Sequence, residues 1–182
     1  MDARKLRRCI RYLLSLFVVG LVISGLTAVP LVLEITILHR FMGPNTAVGY
    51  RWPAMSQWIS SVYQGLINAN ADHPFLFYGT DWLAFGHIVI AIAFLGPLRD
   101  PVKNLWVIEF GMIACVLVIP MAVIFGPLRG IPVFWRMIDC SFGVVGFLPL
   151  WLARTYVRRL IALQHHPMAA TELEIVEPME GQ

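Results

Sequence analysis

The sequence predicts an all-α membrane protein: a transmembrane four-helix bundle with a short amphipathic helix on its outer side. Apolar residues make up 58% of the 182 residues and charged residues only 14%, against about 25% charged in an ordinary soluble domain. The mean hydropathy is +0.71, and the apolar residues are collected in runs of the length that a bilayer core requires, about 20 residues. This composition excludes a disordered chain, a nucleic-acid-binding domain and most soluble enzymes.

Each apolar run is predicted to be one membrane-spanning helix. The predicted spans are residues 12–38, 80–98, 105–126 and 131–153. The first run is much longer than the apolar core of a secretory signal, which has roughly 7–15 residues, so we expect a helix that is retained in the protein. Pro30 and Pro120 each lack a backbone donor and are expected to kink their helices.

The basic residues predict that both termini are cytoplasmic, because cytoplasmic segments of membrane proteins are rich in Lys and Arg. With the N-terminus inside, ten basic residues lie in cytoplasmic segments and three in outer ones. Residues 1–11 are then a basic cytoplasmic N-terminus. Residues 154–182 are a cytoplasmic amphipathic helix followed by an acidic tail.

The long outer segment, residues 39–79, contains the predicted amphipathic helix. Its apolar residues recur at helical spacing: Met55, Trp58, Ile59, Val62, Leu66 and Ile67. Its polar face carries no charge: Ser56, Gln57, Ser60, Ser61 and Gln64. The pattern leaves open whether this helix packs on lipid or on the bundle.

Ionisable residues within the spans are the candidates for function, because each costs about 2.5–3.5 kcal/mol to insert in a membrane. The candidate polar cluster, in the outer leaflet, consists of Glu34, Asp81, His87, Arg136 and Asp139. Secondary candidates are His39, His73, Glu109 and Cys140. Glu109 lies near the inner end of its span, where it can pair with Arg99, Lys103 or Arg154.

Two interpretations of the polar cluster follow from its residue types. In a structural one, Arg136 bridges Asp139 and Glu34, because buried charges are usually paired. In a functional one, the cluster lines an outward-facing pocket in which His87 exchanges a proton or binds a ligand. No spacing typical of metal ligands is present, so no metal site is predicted, and no cofactor or catalytic residue is assigned.

Two stretches, Phe77 to His87 and Arg129 to Gly143, resemble the signature stretches of an uncharacterised bacterial family of small four-span inner-membrane proteins. The resemblance covers most of the chain from the first span to the fourth. It implies a bacterial inner membrane, and it implies no activity, cofactor or catalytic residue.

The sequence favours a binding or accessory role exercised through the outer polar cluster and the segment that covers it. One alternative is a membrane enzyme, or a metal- or cofactor-binding protein, that uses His87 with nearby carboxylates. Another is a small-solute transporter that works as an oligomer, because four spans enclose little lumen. The expected partners are membrane lipid and a second copy of the chain or a larger membrane complex, and not nucleic acid.

Overall fold

The computed structural model confirms the all-α class, since 88% of the chain is helical and residues 2–175 contain no strand. The structure describes the backbone of those residues and the side chains of residues 2–164. The helices are α1 (Ala3–Thr27), α2 (Leu31–Met42), α3 (Ala47–Arg51), α4 (Pro53–Asp72), α5 (Tyr78–Ala93), α6 (Leu95–Arg99), α7 (Leu105–Leu128) and α8 (Val133–Ile175), with a 3₁₀ turn at Pro74–Phe77 before α5.

Four helical segments are long and apolar enough to cross a membrane, as a multi-pass membrane protein requires. They are Ala3–Thr27, Pro74–Arg99, Leu105–Leu128 and Val133–Gln164. Only 11% to 22% of the residues in their apolar windows are buried within the protein. Most of each span therefore presents apolar side chains outwards, which in water would be costly and in a bilayer is the expected surface.

The first predicted span, residues 12–38, is wrong as a single helix. The helix α1 ends at Thr27, the chain turns over residues 28–30, and α2 begins at Leu31. Pro30 has no N–H group to continue the helix, and its carbonyl accepts the first hydrogen bond of α2 from the Glu34 N–H, at 3.0 Å. The sequence predicted a kink at this proline, and the structure has a complete break.

The other end of α1 also differs from the prediction, because the helix begins at Ala3 and includes the basic residues placed in a separate N-terminus. By contrast, α7 continues through Pro120 and Pro127 to its end at Leu128. The fourth span continues without interruption into the predicted cytoplasmic helix, and α8 reaches Ile175. The rest of the predicted acidic tail, residues 176–182, lies outside the described residues.

The chain divides into two compact units. Unit 1 contains Met1–Val18 and Ala93–Gln182, and unit 2 contains Val19–Ile92. The core of unit 1 consists of fully buried apolar side chains from α1, α7, α8 and the residue before α6. They are Leu6, Ile10, Leu14, Phe94, Ile108, Leu150, Ala153, Val157 and Leu160.

The helices α7 and α8 approach each other closely in unit 1 because glycines line their contact. A β-carbon on Gly143 would lie 2.5 Å from the Cys115 carbonyl oxygen, and one on Gly111 would lie 2.8 Å from a methyl carbon of Leu150. In lipid, where water does not drive helices together, such small residues allow the backbones to make close van der Waals contact.

In unit 2, the predicted amphipathic helix is α4, which packs on α2 of the same unit. Ile59 is 1% exposed, and the Tyr63 ring stacks on the His39 ring with 4.4 Å between their centroids. The helix is 20 residues long and so is longer than the short helix that was predicted. Ser56, predicted on its polar face, is instead 3% exposed and lies beside Gly49.

Candidate functional site

The two carboxylates of the predicted cluster that belong to unit 2 each lie in the first turn of their own helix, Glu34 in α2 and Asp81 in α5. The amino end of a helix dipole favours a negative charge, so both positions suit an acid. Glu34 is half-buried and Asp81 is exposed, where it lines a shallow notch with Tyr78, Trp82 and Phe85. Within residues 2–164, neither carboxylate forms an ion pair.

His87 is held by its own helix and by α1. Its Nδ1–H donates a 2.8 Å hydrogen bond to the Leu83 carbonyl oxygen. Because a carbonyl can only accept, the neutral ring carries its proton on Nδ1 and a lone pair on Nε2. On the other side, a β-carbon on Gly25 would lie 2.9 Å from the β-carbon of His87. His87 therefore lies at a helix–helix contact and makes no hydrogen bond to Glu34 or Asp81 in unit 2.

The remaining two residues of the predicted cluster lie in unit 1, in the first turns of α8. The aliphatic part of Arg136 packs onto Gly126 of α7, and its Nε is buried without a hydrogen-bond partner among the described residues. The expected bridge from Arg136 to Asp139 is not among the ion pairs of residues 2–164. Cys140 follows as a half-buried free thiol. The grouping of all five cluster residues into one site stays a prediction, because three belong to unit 2 and two to unit 1.

Glu109 forms the ion pairs that join α7 to α8. The Nε–H group of Arg154 donates to Glu109 Oε1 at 2.7 Å, and Nη2 of Arg158 lies 3.5 Å from the same oxygen. The pairing with Arg154 confirms one of the three partners that the sequence offered. Arg158 was not predicted as a partner, although it lies one helical turn beyond Arg154 and so on the same face of α8, because the basic residues of 154–163 were expected to face lipid headgroups.

An open groove of about 510 Å³ lies in unit 2, where the break at Pro30 separates α1 from α2. Its walls come from the turn, α2, α4 and the 3₁₀ turn: Val29, Pro30, Val32, Leu33, Thr36, Asn70 and Phe77. The sequence predicted that a kink here would open room for a polar pocket beside Glu34. The room is present, but its walls are apolar apart from the Thr36 hydroxyl and the Asn70 amide.

The sequence could indicate only part of this groove. The missing N–H group of Pro30 predicts a distortion of the helix at this position. Asn70 and Phe77 carry no pattern that places them beside Pro30: Asn70 comes from α4, which packs on α2, and Phe77 comes from the 3₁₀ turn that follows α4. Their contribution is a tertiary one.

The secondary histidines have structural contacts. His39 stacks on Tyr63 within unit 2, and the His73 ring lies edge-on to Phe75, 6.0 Å away, just before the 3₁₀ turn. Among the residues that the structure describes, no group of three or more His, Cys, Asp or Glu side chains is placed to hold a metal ion. A comparison of the chain with protein-family models, curated proteins and solved structures finds no match.

Proposed function

We propose that this chain is a multi-pass protein of a bacterial inner membrane, with both termini in the cytoplasm, and that its role is to bind rather than to catalyse. Its ligand is an amphipathic molecule with an apolar chain, and we commit to a membrane phospholipid. The observation that carries the proposal is the groove at Pro30, which is formed by separate parts of unit 2 rather than by one helix surface.

The chemistry of the groove matches an acyl chain that ends in a polar linkage. Val29, Val32 and Leu33 supply apolar walls, and no charged side chain lines the groove. The Thr36 hydroxyl donates to the Val32 carbonyl at 2.6 Å, which leaves its oxygen able to accept, and Asn70 adds an amide that can donate. A lipid ester offers acceptors to such a donor.

The position of the groove also favours a ligand from the bilayer. It begins where α1, a helix long enough to span a membrane, ends at Thr27. Phe77, one of its walls, is followed directly by Tyr78 and then by Trp82, both more than half exposed. Aromatic residues of this kind are enriched at the membrane–water interface, which is the depth where acyl chains meet their headgroups.

The groove is pre-formed, which lowers the entropic cost of binding. The helix that carries Asn70 packs on α2, and its Tyr63 ring stacks on the His39 ring of α2. The groove is open and has a volume of about 510 Å³.

The membrane and the orientation rest on the sequence. The resemblance of Phe77 to His87 and of Arg129 to Gly143 supports a bacterial inner membrane. The ten basic residues of the segments assigned to the cytoplasm, against three outside, support cytoplasmic termini.

The test is photolabelling of the protein in phosphatidylcholine vesicles that contain a phospholipid with a photoreactive group in its acyl chain. In the wild-type protein, we expect label on the peptides that carry residues 29–36 and 70–77. The substitution Leu33→Trp fills the groove and should reduce that label roughly tenfold, the effect of a loss of about 1.4 kcal/mol in binding. The matched control is Ile37→Trp, because Ile37 is exposed on α2 one turn further on and does not line the groove. Equal labelling of the two variants would overturn the proposal.

A further inference from the structure

We propose that Glu109, Arg154 and Arg158, here called the ion triad, form a second site that binds the phosphodiester headgroup of an anionic phospholipid. The ion triad belongs to unit 1 and the Pro30 groove to unit 2. The two sites also differ in chemistry, because the groove is uncharged and the ion triad would select by charge. The inference therefore goes beyond the proposed function and does not depend on it.

The ion triad carries an excess of positive charge. One carboxylate oxygen, Glu109 Oε1, accepts from Arg154 at 2.7 Å and lies 3.5 Å from Nη2 of Arg158. One negative charge faces two guanidinium groups, so the ion triad keeps a net charge of +1. At the edge of a membrane, such an excess favours an anion.

The two arginines of the ion triad differ in their exposure and in their distance from Glu109. The Arg154 side chain is 27% exposed and uses its Nε–H group on Glu109, whereas the Arg158 side chain is 57% exposed and lies at the longer distance. A guanidinium carries five N–H donors and Glu109 engages few of them. Its planar fork matches two oxygens of a phosphate, so Arg158 is placed to bind a headgroup while Arg154 holds the pair of helices together.

Two tryptophans lie three residues before members of the ion triad, and they favour a lipid over free phosphate as the ligand. Trp106 precedes Glu109 by three residues on α7, and Trp151 precedes Arg154 by three residues on α8. Trp106 is 65% exposed and Trp151 is 47% exposed. Residues three apart lie on neighbouring parts of one helix face, and exposed tryptophans mark the level of the headgroups. The rings offer an apolar surface to the glycerol and upper acyl carbons, which inorganic phosphate lacks.

The purified full-length protein is reconstituted in an equimolar mixture of phosphatidylglycerol and phosphatidylcholine. Native mass spectrometry then measures which lipid the protein retains. The wild-type protein should retain phosphatidylglycerol in preference to phosphatidylcholine. The substitution Arg158→Gln should reduce this preference about fivefold, the factor expected for one basic residue at an anionic surface, and Arg158→Lys should keep most of it. The control is Arg159→Gln, which removes an exposed arginine that is not part of the ion triad and should have little effect.

A further variant separates lipid binding from a purely structural ion pair. Glu109→Gln removes the competing carboxylate, so a headgroup site predicts a higher phosphatidylglycerol preference than in the wild-type protein. If the ion triad only holds α7 to α8, this variant lowers the melting temperature and leaves the preference unchanged or lower, and the proposal fails. It also fails if Arg159→Gln matches Arg158→Gln, or if millimolar inorganic phosphate displaces the lipid. Because Leu33→Trp should not change the headgroup preference, failure of this proposal is distinguishable from failure of the groove.

Discussion

The backbone of Gly25 in α1 lies directly against His87 in α5. A β-carbon on Gly25 would be 2.9 Å from the β-carbon of His87 and 3.1 Å from the Ala84 carbonyl oxygen. Within unit 2, glycine therefore lets the last part of α1 contact α5 at the level of His87, the one histidine within the predicted spans. This contact and the hydrogen bond to Leu83 together position His87, and no ligand is needed to explain where it lies.

The first prediction concerns this contact. Gly25→Ala should lower the free energy of unfolding by roughly 1–3 kcal/mol, the usual cost of overpacking a tight contact. The matched control is Gly20→Ala on the same helix, where no atom lies within 4 Å of the new methyl group and alanine is the better helix former. Thermal unfolding in detergent measures both. Equal melting temperatures for the two variants would contradict the close contact.

The second prediction compares two pairs of opposite charge in unit 1. A double-mutant cycle on Glu109→Gln and Arg154→Gln should give a coupling energy of roughly 0.5–3 kcal/mol, because the two side chains are in contact. The same cycle on Arg136→Gln and Asp139→Asn should give a coupling within about 0.5 kcal/mol, because these side chains form no ion pair in the structure. Chemical unfolding in mixed micelles supplies the four free energies of each cycle. A large coupling at the second pair would restore the ion-pair network that the sequence suggested.

The third prediction concerns the start of α3. The Thr46 hydroxyl oxygen accepts from the Gly49 N–H at 3.0 Å and its proton is donated to the Gly43 carbonyl at 2.8 Å. Thr46→Val keeps the shape and removes both bonds, so it should destabilise the segment by about 1 kcal/mol, as loss of a helix cap does. Thr46→Ser keeps the hydroxyl and serves as the control. Hydrogen exchange of the amides of residues 47–51 should be faster in the valine variant alone.

The fourth prediction concerns topology. A fluorescent protein that folds only in the cytoplasm should be bright when fused to the C-terminus, because the basic residues favour cytoplasmic termini. Alkaline phosphatase, which is active only outside the cytoplasm, should be active when it is inserted between Asp72 and His73. The reverse pattern of activities would show that the protein has the opposite orientation in the membrane and would contradict cytoplasmic termini.

The sequence predicted the third span closely because a bilayer imposes a simple requirement, an apolar run of sufficient length. The predicted span 105–126 and the observed Leu105–Leu128 show how closely this requirement sets a helix. The second predicted span, residues 80–98, is interrupted at Phe94 between α5 and α6, and the helix of the fourth continues past residue 153. The first span failed because hydropathy stays high on both sides of Pro30. Pro120 has the same missing donor and leaves α7 intact, so the proline alone could not distinguish a break from a continuous helix.

The polar residues were harder to predict than the spans because their partners are far away in sequence. Arg154 was named as a partner of Glu109, since both were expected near the same membrane face. Arg158 was not, because the basic residues beyond Arg154 were expected to face lipid headgroups rather than α7. Similarly, Ser56 was predicted on the polar face of α4, whereas it is buried and lies beside Gly49. The periodicity of apolar and polar residues predicts the faces of a helix, but the packing of the other helices decides which polar residue is buried.

The small buried share of each span has an evolutionary consequence. At a lipid-facing position, any apolar side chain of similar size serves, so substitutions there are nearly neutral and accumulate freely. Selection acts on atomic detail only where the backbone or a charge leaves no choice, as at Gly25, Gly111, Gly143 and Glu109. Homologues of this chain should thus diverge over most of their length while these few positions stay fixed, and it is by them that a distant relative would be recognised.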